Sequence, residues 1–521
     1  MKIKRLVRRM IYDPFSEEYG TLSISKMTKQ SINYAFSNTY SLSLLSGMGI
    51  KINIPEDTLS SFKDKLKSSS IQEKSDFFNK ITPLKAIYTK GIPVFLSNEN
   101  DEGDKEISNW DESTFKKTLL PENQAFLIMN EIGLAKHLHH KGLESIDAPA
   151  SDKEKYIGML FMYLAVEQGK FCHESLRNAQ GFFIAKKDKS ASSVDVTLEE
   201  KKKEVSLQDQ VYMMAAYANL YQVLSAENVY ENYFDADLAR FFQELSQQLM
   251  EYILVSKEKF YGLKTRDLVN VVPYVIDTMT IFDNTTVEHD FTATLCAEIC
   301  SRELGTGKLS SERYGDKETS TSTHAKAIEA LVKGYEYTQY EAFLDTARKI
   351  YRMLNHTWNH ETHLFQSQKK KKIKVSTKDI GTFLNGLHAL YTSENHKKNK
   401  GLLSNQICAY FDASINMSGL QIAPPYISLN LFRSEPSKLD VFDPSLMRSN
   451  ENSCVLVKGF KLYPKKDKIM LDIKNYEAKY ALRTSLAMLS LSNMDTIDTE
   501  QDDTNFISPF ADFVFDENED D

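Results

Sequence analysis

The sequence has few of the residues that mark the common classes of functional site. Its 521 residues include five cysteines and two tryptophans. Cysteines that are few, odd in number and free of any CxxC motif exclude a disulfide framework. We therefore expect free thiols, also at Cys296 and Cys300 in the apolar helical stretch FTATLCAEIC. A metal or redox pair is the alternative for these two residues.

Several short catalytic motifs are also missing. The sequence contains no GxGxxG, no GxxxxGK[ST] and no GxSxG, which argues against a phosphate-binding loop and against a nucleophile elbow. The stretch LGTGKLSSERYG lacks the full phosphate-loop spacing and follows a helical pattern rather than a strand. The sequence therefore predicts no cofactor.

No apolar run approaches the ~18 residues of a membrane span. The basic start, MKIKRLVRRMIYDP, lacks the apolar stretch of a signal peptide. From these two observations we expect a soluble, cytoplasmic protein without an integral membrane span.

Acidic charge is concentrated at the C-terminal end of the sequence. The formal net charge is −8, and residues 495–521 contain eleven acidic residues and no lysine or arginine. The rest of the chain is therefore close to neutral, which argues against a nucleic-acid-binding protein. Because this tail also contains Phe506, Phe510, Phe513 and Phe515, it is either a solvated tail or a segment that docks on a protein partner.

Residues 322–366 show a pattern that recurs through the chain. Apolar residues at helical spacing, among them Ile328 and Leu331, predict one helix, and Ile350 and Leu354 belong to a second. A tight turn near Gln339 separates the two, so we expect them to be antiparallel. A short aromatic strand, HLFQ, follows.

Five such helix pairs are visible, and most end in glycine or aromatic residues, as in QGFF, KFYG, HLFQ and SGLQI. Their uneven spacing excludes a regular short-repeat solenoid. Hairpins that each bury one face must stack on neighbours, and residues 476–488 supply a sixth candidate, so we expect a closed ring. Pro273 is expected to kink its helix or to delay its start. We divide the chain into a mixed N-terminal region (1–118), a ring of helical hairpins (119–425), an extended or β segment with the last ring helix (426–494) and an acidic tail (495–521).

This pattern resembles the (α/α)6 toroid, the architecture of the six-hairpin glycosidases, the sugar 2-epimerases and related proteins. The resemblance is carried by SLQDQVYMMAAYANLYQVL with its partner ending KEKFYG, and by THAKAIEALVKGYEYT with ARKIYRMLNHTWNHETHLF. It covers roughly residues 120–425 and matches the architecture, without matching one particular family. It implies a mainly α-helical fold with a barrel of inner helices, and a cleft at one end that acts on sugars through acids or histidines.

Acidic residues stand near the starts of four helices that we expect to be inner ones: Glu122, Asp209, Asp267 and Asp379. Glycoside hydrolysis needs two carboxyl groups on opposite sides of the sugar bond, one protonated and one ionised. We select Asp267 and Asp379, which directly follow loops, as the first candidate pair, and Asp209 as a further candidate. An acid in the first turn also stabilises exposed N–H groups and the helix dipole, which is the structural alternative for all four residues.

Histidines offer the acid–base chemistry of an epimerase or isomerase. His324, at the start of a helix, is the candidate, with an ordinary first-turn polar residue as the alternative. His356 and His360 lie four residues apart, as metal ligands on one helix face do, but they end a helix and no HExxH motif is present. We therefore predict no metal site.

Two functions of different classes follow. The first is a carbohydrate-active enzyme, a glycoside hydrolase or sugar epimerase, that stacks its sugar on Tyr261, Phe182 and Trp358. The second is a non-catalytic toroid that serves as an assembly or interaction subunit, favoured by the scarcity of tryptophan and by the aromatic acidic tail. The expected partner is a carbohydrate in the first case and a protein bound by the tail in the second.

Overall fold

The computed structural model of this protein describes residues 22–66, 81–93, 95–99, 105–141, 150–190, 196–201, 204–225, 234, 236–282, 286–366, 372–420, 455–463, 468–472 and 476–494. The acidic tail and the strands predicted within residues 421–454 lie outside this set.

Fourteen α-helices are present in the described residues. In chain order they are α1 (Ile24–Tyr40), α2 (Glu56–Leu66), α3 (Pro121–His140), α4 (Asp152–Ser175), α5 (Leu207–Ser225), α6 (Ala236–Val255), α7 (Glu258–Tyr261), α8 (Thr265–Ile281), α9 (Thr286–Cys300), α10 (Thr321–Thr338), α11 (Glu341–Asn355), α12 (Thr377–Ser393), α13 (Lys397–Phe411) and α14 (Ala478–Leu491).

Six of these helices form a closed inner ring. α3 packs on α5, α5 on α8, α8 on α10, α10 on α12 and α12 on α14, which returns to α3. Neighbouring inner helices run in the same direction. This follows from contacts between residues at similar positions along each helix. Glu122 contacts Asp209 near the starts of α3 and α5, and Lys136 contacts Gln222 near their ends. We call the two faces of the ring the N-terminal end, where the inner helices begin, and the C-terminal end, where they finish.

A second layer of helices surrounds the ring. Five inner helices are each followed along the chain by an outer helix that packs on them: α4 on α3, α6 on α5, α9 on α8, α11 on α10 and α13 on α12. α1 fills the sixth outer position and packs on α14, where the Ser485 hydroxyl donates to the Ala35 carbonyl oxygen at 3.3 Å. The chain therefore closes the toroid by bringing its first described helix beside its last. The predicted (α/α)6 toroid is confirmed.

The hairpin of α10 and α11 shows why the sequence folds in this way. Ser320 caps α10, because its side-chain oxygen accepts from the Thr323 N–H at 3.3 Å. α10 ends at Thr338, and Gln339 takes a left-handed conformation with φ 60° that reverses the chain into α11. The predicted turn is confirmed. α11 buries a single face, made of Phe343, Leu344, Ala347, Ile350, Tyr351 and Leu354.

Two glycines allow helices around the ring to approach closely. A Cβ at Gly386 of α12 would lie 2.4 Å from the carbonyl oxygen of Ala325 on α10. A Cβ at Gly334 of α10 would lie 2.4 Å from Sγ of Cys296 on α9. Both separations are far below van der Waals contact, so a larger residue at either position must push two helices apart.

Short strands lie between the helices along the chain. They are β1 (Gly49–Lys51), β2 (Leu84–Ile87), β3 (Lys90–Gly91), β4 (Phe95–Glu99), β5 (Lys105–Trp110), β6 (Thr118–Leu119), β7 (Lys186–Asp188), β8 (Leu198–Glu200), β9 (Trp358–Asn359), β10 (Leu364–Phe365), β11 (Ile373–Ser376), β12 (Gly459–Tyr463), β13 (Lys468–Leu471) and β14 (Tyr476–Glu477). All pairings are antiparallel: β1–β2, β3–β14, β4–β5, β6–β7–β8, β9–β10 and β11–β12–β13. The β3–β14 and β11–β12 pairs join distant parts of the chain.

α1 is continued by a π-helical turn at Ser41–Leu45. The structure also refines two expectations drawn from the sequence. α8 begins at Thr265 and runs through Pro273, so a late start is wrong for this helix. Described residues of the N-terminal region, such as Tyr40 and Trp110, share one core with the ring, while the division into four regions stays a prediction. No helix in the described part of the chain is long and apolar enough to cross a membrane.

Candidate functional site

A cavity of about 470 Å³ lies on the axis of the ring. All six inner helices contribute residues, which come from the middle and the second half of each helix, so the cavity lies toward the C-terminal end of the ring. Its size is that of a small-molecule site. The lining residues are Met129, Ile132, Gly133, Lys136, His137, His140, Lys141, Ala215, Asn219, Tyr274, Asp277, Glu329, Lys333, Asn385, Leu486, Leu489, Ser490, Ser492 and Asn493.

Two carboxylate–ammonium pairs lie on α8 and α10, and their members Asp277, Lys333 and Glu329 line the cavity. Nζ of Lys333 lies 2.6 and 2.7 Å from the two carboxylate oxygens of Asp277. Glu329, one turn before Lys333, accepts from Nζ of Lys326 at 2.7 Å. Burial lowers the pKa of Lys326 although Glu329 opposes the shift, whereas at Lys333 burial is outweighed by Asp277 and Glu329, which raise its pKa. Solvent reaches the Lys333–Asp277 pair, since these two side chains are 30% and 39% exposed.

A cluster of aromatic and charged side chains adjoins the cavity. Nη2 of Arg483 donates to Oε1 of Glu122 at 2.5 Å and to the Tyr212 hydroxyl at 2.9 Å. Its guanidinium lies over the rings of Phe126 and Tyr212, at 4.8 and 5.3 Å from their centroids. Tyr274 packs edge-on against the same two rings. The cluster joins α3, α5, α8 and α14, and Tyr274 is its member that lines the cavity.

Some polar groups of the cavity lack a partner within the described part of the chain. Oδ1 of Asn385 on α12 and Nε2 of His137 on α3 are buried without a hydrogen bond. Lys136 donates to Oε1 of Gln222 at 3.1 Å, and burial lowers its pKa. Buried polar atoms are normally satisfied by protein, water or ligand. These atoms are therefore the ones that a bound molecule would satisfy.

The predicted acids lie at the opposite end of the ring. Asp209, Asp267 and Asp379 each stand in the first turn of an inner helix, and none of them lines the cavity. Asp379 accepts from the hydroxyl of its own N-cap serine at 2.6 Å, and Asp267 pairs with Arg266 at 3.2 Å. Oδ1 of Asp209 accepts from the first-turn N–H of Glu122 at 3.3 Å. The bonds of Asp379 and Asp209 are of the kind expected at helix starts, whereas the contact of Asp267 is an ion pair. A catalytic role for the three residues stays a prediction.

His324 is fully buried in the first turn of α10, and both of its ring nitrogens are bonded to backbone. Nε2 accepts from the Leu309 N–H at 2.8 Å, and Nδ1 donates to the Ser320 carbonyl oxygen at 2.9 Å. These bonds suit a neutral ring with its proton on Nδ1, and burial lowers the pKa of His324. Both nitrogens of the His324 imidazole are therefore engaged in hydrogen bonds to the backbone, and an acid–base role for His324 stays a prediction.

The aromatic residues predicted to stack on a sugar are dispersed. Trp358 is buried, Phe182 packs against α6, and Tyr261 lies under the guanidinium of Arg313 at 5.1 Å. None of the three lines the central cavity, where Tyr274 is the aromatic side chain. Their role in sugar binding stays a prediction.

The charged residues of the cavity were missed because they lie in the middle of helices. Asp277 stands within VVPYVIDTMTI, and Glu329 and Lys333 stand within AIEALVKGYEYT. Residues four apart share one face of a helix, and charges are costly to bury unless they are paired or face a cavity. A charged residue inside an apolar helical stretch was the feature of the sequence that could have identified these cavity residues.

The described residues contain no group of three or more histidine, cysteine, aspartate or glutamate side chains arranged to hold a metal ion. His356 caps the C-terminus of α11 and His360 follows in a turn, so the two do not share a helix face. Cys172, Cys296 and Cys300 are unpaired.

No family model and no curated protein matches this chain. Among solved structures, D-mannose isomerase is similar at 9% identity and a TM-score of 0.48, over 84% of this chain and 99% of that chain. An unsaturated glucuronyl hydrolase responsible for the degradation of glycosaminoglycan, from Bacillus sp., is similar at 9% identity and a TM-score of 0.44, over 83% and 94%. Cellobiose 2-epimerase from Bacillus thermoamylovorans is similar at 12% identity and a TM-score of 0.36, over 68% and 87%. At such TM-scores these likenesses carry no argument, and the architecture rests on the helix packing within this chain.

Proposed function

We propose that this protein is a carbohydrate-active toroid that binds its sugar in the central cavity. The supporting observation is the lining, in which all six inner helices present side chains to one space. These side chains include carboxylates (Asp277, Glu329), amides (Asn219, Asn385) and ammonium groups such as Lys333. A sugar carries adjacent hydroxyls that both donate and accept hydrogen bonds, so it matches such a lining.

The cavity also provides the apolar surface that a sugar ring needs. Tyr274, Met129, Leu486 and Leu489 line it beside the polar groups. The C–H faces of a pyranose can pack against such side chains while its hydroxyls reach the charged wall. The volume of about 470 Å³ accommodates a mono- or disaccharide.

We assign acid–base chemistry on the bound sugar to Asp277 and Glu329. General acid–base catalysis requires a titratable group within hydrogen-bond reach of the proton that moves, and these two carboxylates line the cavity. Their lysine partners, at 2.6 and 2.7 Å, fix their orientation. The reaction proposed is hydrolysis of a glycosidic bond or epimerisation of a sugar.

The proposal is tested by ligand binding and product analysis with Asp277→Asn. Wild-type protein is titrated with a panel of mono- and disaccharides in thermal-shift and calorimetric experiments, and mixtures are followed by NMR for hydrolysis or epimerisation. We expect Asp277→Asn to weaken binding by about thirtyfold, since a hydrogen bond to a charged group contributes on the order of 2 kcal/mol. The matched control is Asp345→Asn on outer helix α11, whose side chain is 69% exposed. If no sugar in the panel binds the wild-type protein, the proposal is wrong.

A non-catalytic toroid is the second candidate function. It is favoured by the bonds of His324, which engage both ring nitrogens with backbone, and by the capping bonds of Asp379. This candidate is an assembly or interaction subunit, and it would be selected if no sugar in the panel is bound or chemically changed.

A further inference from the structure

We propose that the sugar carries an oxyanion, either a carboxylate or a phosphate, and that Lys136 binds this group at the wall of the cavity formed by α3. This inference rests on the proposed function, because it assumes that the central cavity holds a sugar. It adds the chemical class of the ligand and a residue that selects it.

The lysines around the cavity are not equally paired. Lys333 has the carboxylate of Asp277, and Lys326 has that of Glu329. Lys136 has no carboxylate partner among the described residues, and it donates a hydrogen bond to the neutral amide of Gln222 at 3.1 Å. The Lys136 side chain is half-buried, and its hydrogen bond to Gln222 is exposed to solvent. Its ammonium is therefore accessible to a ligand, and a bound anion would give it a charge-assisted hydrogen bond.

The end of helix α3 does not account for Lys136. Cations are favoured in the last turn of a helix, where they interact with the exposed carbonyl groups and the dipole. In α3 the basic residues of the last turn are His137, His139 and His140. Lys136 precedes that turn, and its Nζ reaches across to α5 rather than to the carbonyl groups of its own helix.

Neighbouring groups complete a site for an acidic sugar. Lys141 also lines the cavity, at the end of the same wall. Nε2 of His137 is buried without a partner in the described residues, and burial together with Lys141 lowers the pKa of His137 to about 4. The imidazole is therefore neutral near pH 7, and its Nε2 is available for a hydrogen bond with a sugar hydroxyl beside the anion. Asn385, which also lines the cavity from α12, offers a free carbonyl oxygen to another hydroxyl.

The test is calorimetric titration of the full chain with four matched ligands: glucose, glucuronate, glucose 6-phosphate and inorganic phosphate. We expect an acidic sugar to bind at least about tenfold more tightly than glucose, because a charge-assisted hydrogen bond contributes this much. Glucuronate and glucose 6-phosphate distinguish the two oxyanions. A phosphate ion that binds as tightly as glucose 6-phosphate would indicate a plain anion site and would overturn the inference.

Three variants locate the anion. Lys136→Met should remove the preference for the acidic sugar, so that glucose and the acidic sugars bind about equally, and Lys136→Arg should retain the preference. Lys257→Met, at an exposed position outside the cavity, makes the same change in net charge and should have no effect. Melting temperatures of the three variants verify that each is folded.

The outcomes separate this inference from the proposed function. Equal binding of glucose and the acidic sugars, or a preference that survives in Lys136→Met, overturns the anion site and leaves the carbohydrate proposal intact. If none of the sugars binds, both proposals are wrong.

Discussion

Glu131 of α3 is a fully buried carboxyl group that does not line the cavity. Its Oε1 accepts from the Ser43 hydroxyl at 2.6 Å and from Nε2 of Gln168 at 3.0 Å, while Oε2 has no partner within the described residues. Burial raises the pKa of Glu131 to about 8, and the two hydrogen bonds only partly oppose this. The residue is therefore mostly protonated at pH 7 in the folded protein.

This pKa predicts a specific dependence of stability on pH. The folded state holds a proton that the unfolded state releases above pH 4.5, the ordinary value for this group. The contribution of Glu131 to the free energy of unfolding therefore falls as pH rises from 4.5 to about 8, by up to roughly 1.4 kcal/mol per pH unit. Glu131→Gln keeps the acceptor oxygen and cannot ionise, so it should remove this contribution and stabilise the protein at pH 8.

The measurement is urea unfolding of wild type and Glu131→Gln at pH 5, 6, 7 and 8. The difference in the free energy of unfolding should grow with pH in favour of the variant. Glu244→Gln, at an exposed position on α6, is the control and should follow the wild type. A difference that is the same at pH 5 and pH 8 would contradict the assignment.

At the scale of single residues, the sequence predicted local chemistry better than long-range chemistry. Acids such as Asp379 lie in first helical turns, as expected, because a cap involves residues three or four positions apart. Asp277 and Lys333 meet across 56 residues of sequence. Whether such a side chain reaches the axis of the ring depends on how each helix is rotated against its neighbours, which a single sequence does not reveal.

At the scale of elements, helical periodicity located the hairpins. α11 buries one apolar face, whereas inner helix α10 is buried on nearly all sides from Thr323 to Val332. Helical spacing of apolar residues nevertheless marks both helices in the sequence, so their pairing and the turn at Gln339 follow from nearest neighbours. The pairing of α1 with α14 was not predicted. Ser485 and Ala35 are 450 residues apart, and the local sequence of either helix does not indicate which helix it packs against.

Helix spacing in the ring leads to a prediction with two matched glycines. Gly386 of α12 faces α10, where a Cβ would come 2.4 Å from the Ala325 carbonyl oxygen. Gly386→Ala should therefore separate the helices and lower the free energy of unfolding by roughly 1–3 kcal/mol. Gly401 lies inside outer helix α13 with nothing within 4 Å of its Cβ position. Gly401→Ala should stabilise the protein by up to about 1 kcal/mol, since alanine favours the helical backbone.

Denaturant unfolding of the two alanine variants beside the wild type measures both effects. The opposite signs are the informative result, because both substitutions add the same methyl group within a helix. Equal effects of the two substitutions would show that packing between α10 and α12 does not require glycine at position 386.

At the scale of the whole molecule, stability depends on closing the toroid. Each inner helix has two inner neighbours and an outer partner, so removal of one outer helix exposes apolar surface on the ring. α1 is unusual because it comes from the opposite end of the chain to its partner α14. It buries Met27, Ile32, Phe36 and Tyr40 in the common core.

This arrangement predicts the effect of removing α1. A chain that lacks residues 1–46 keeps all six inner helices but leaves α14 uncovered, so we expect its thermal midpoint to fall by more than about 10 °C or the protein to aggregate. It should also bind a dye that reports exposed apolar surface. A synthetic peptide of residues 22–46, added in excess, should bind the truncated chain and raise the midpoint again. The control lacks residues 495–521 and keeps all twelve helices of the toroid, so it measures the effect of shortening the chain without removing any of them. If the chain without α1 melts cooperatively at the unchanged temperature, α14 does not need its partner and the sixth hairpin does not contribute to the stability of the ring.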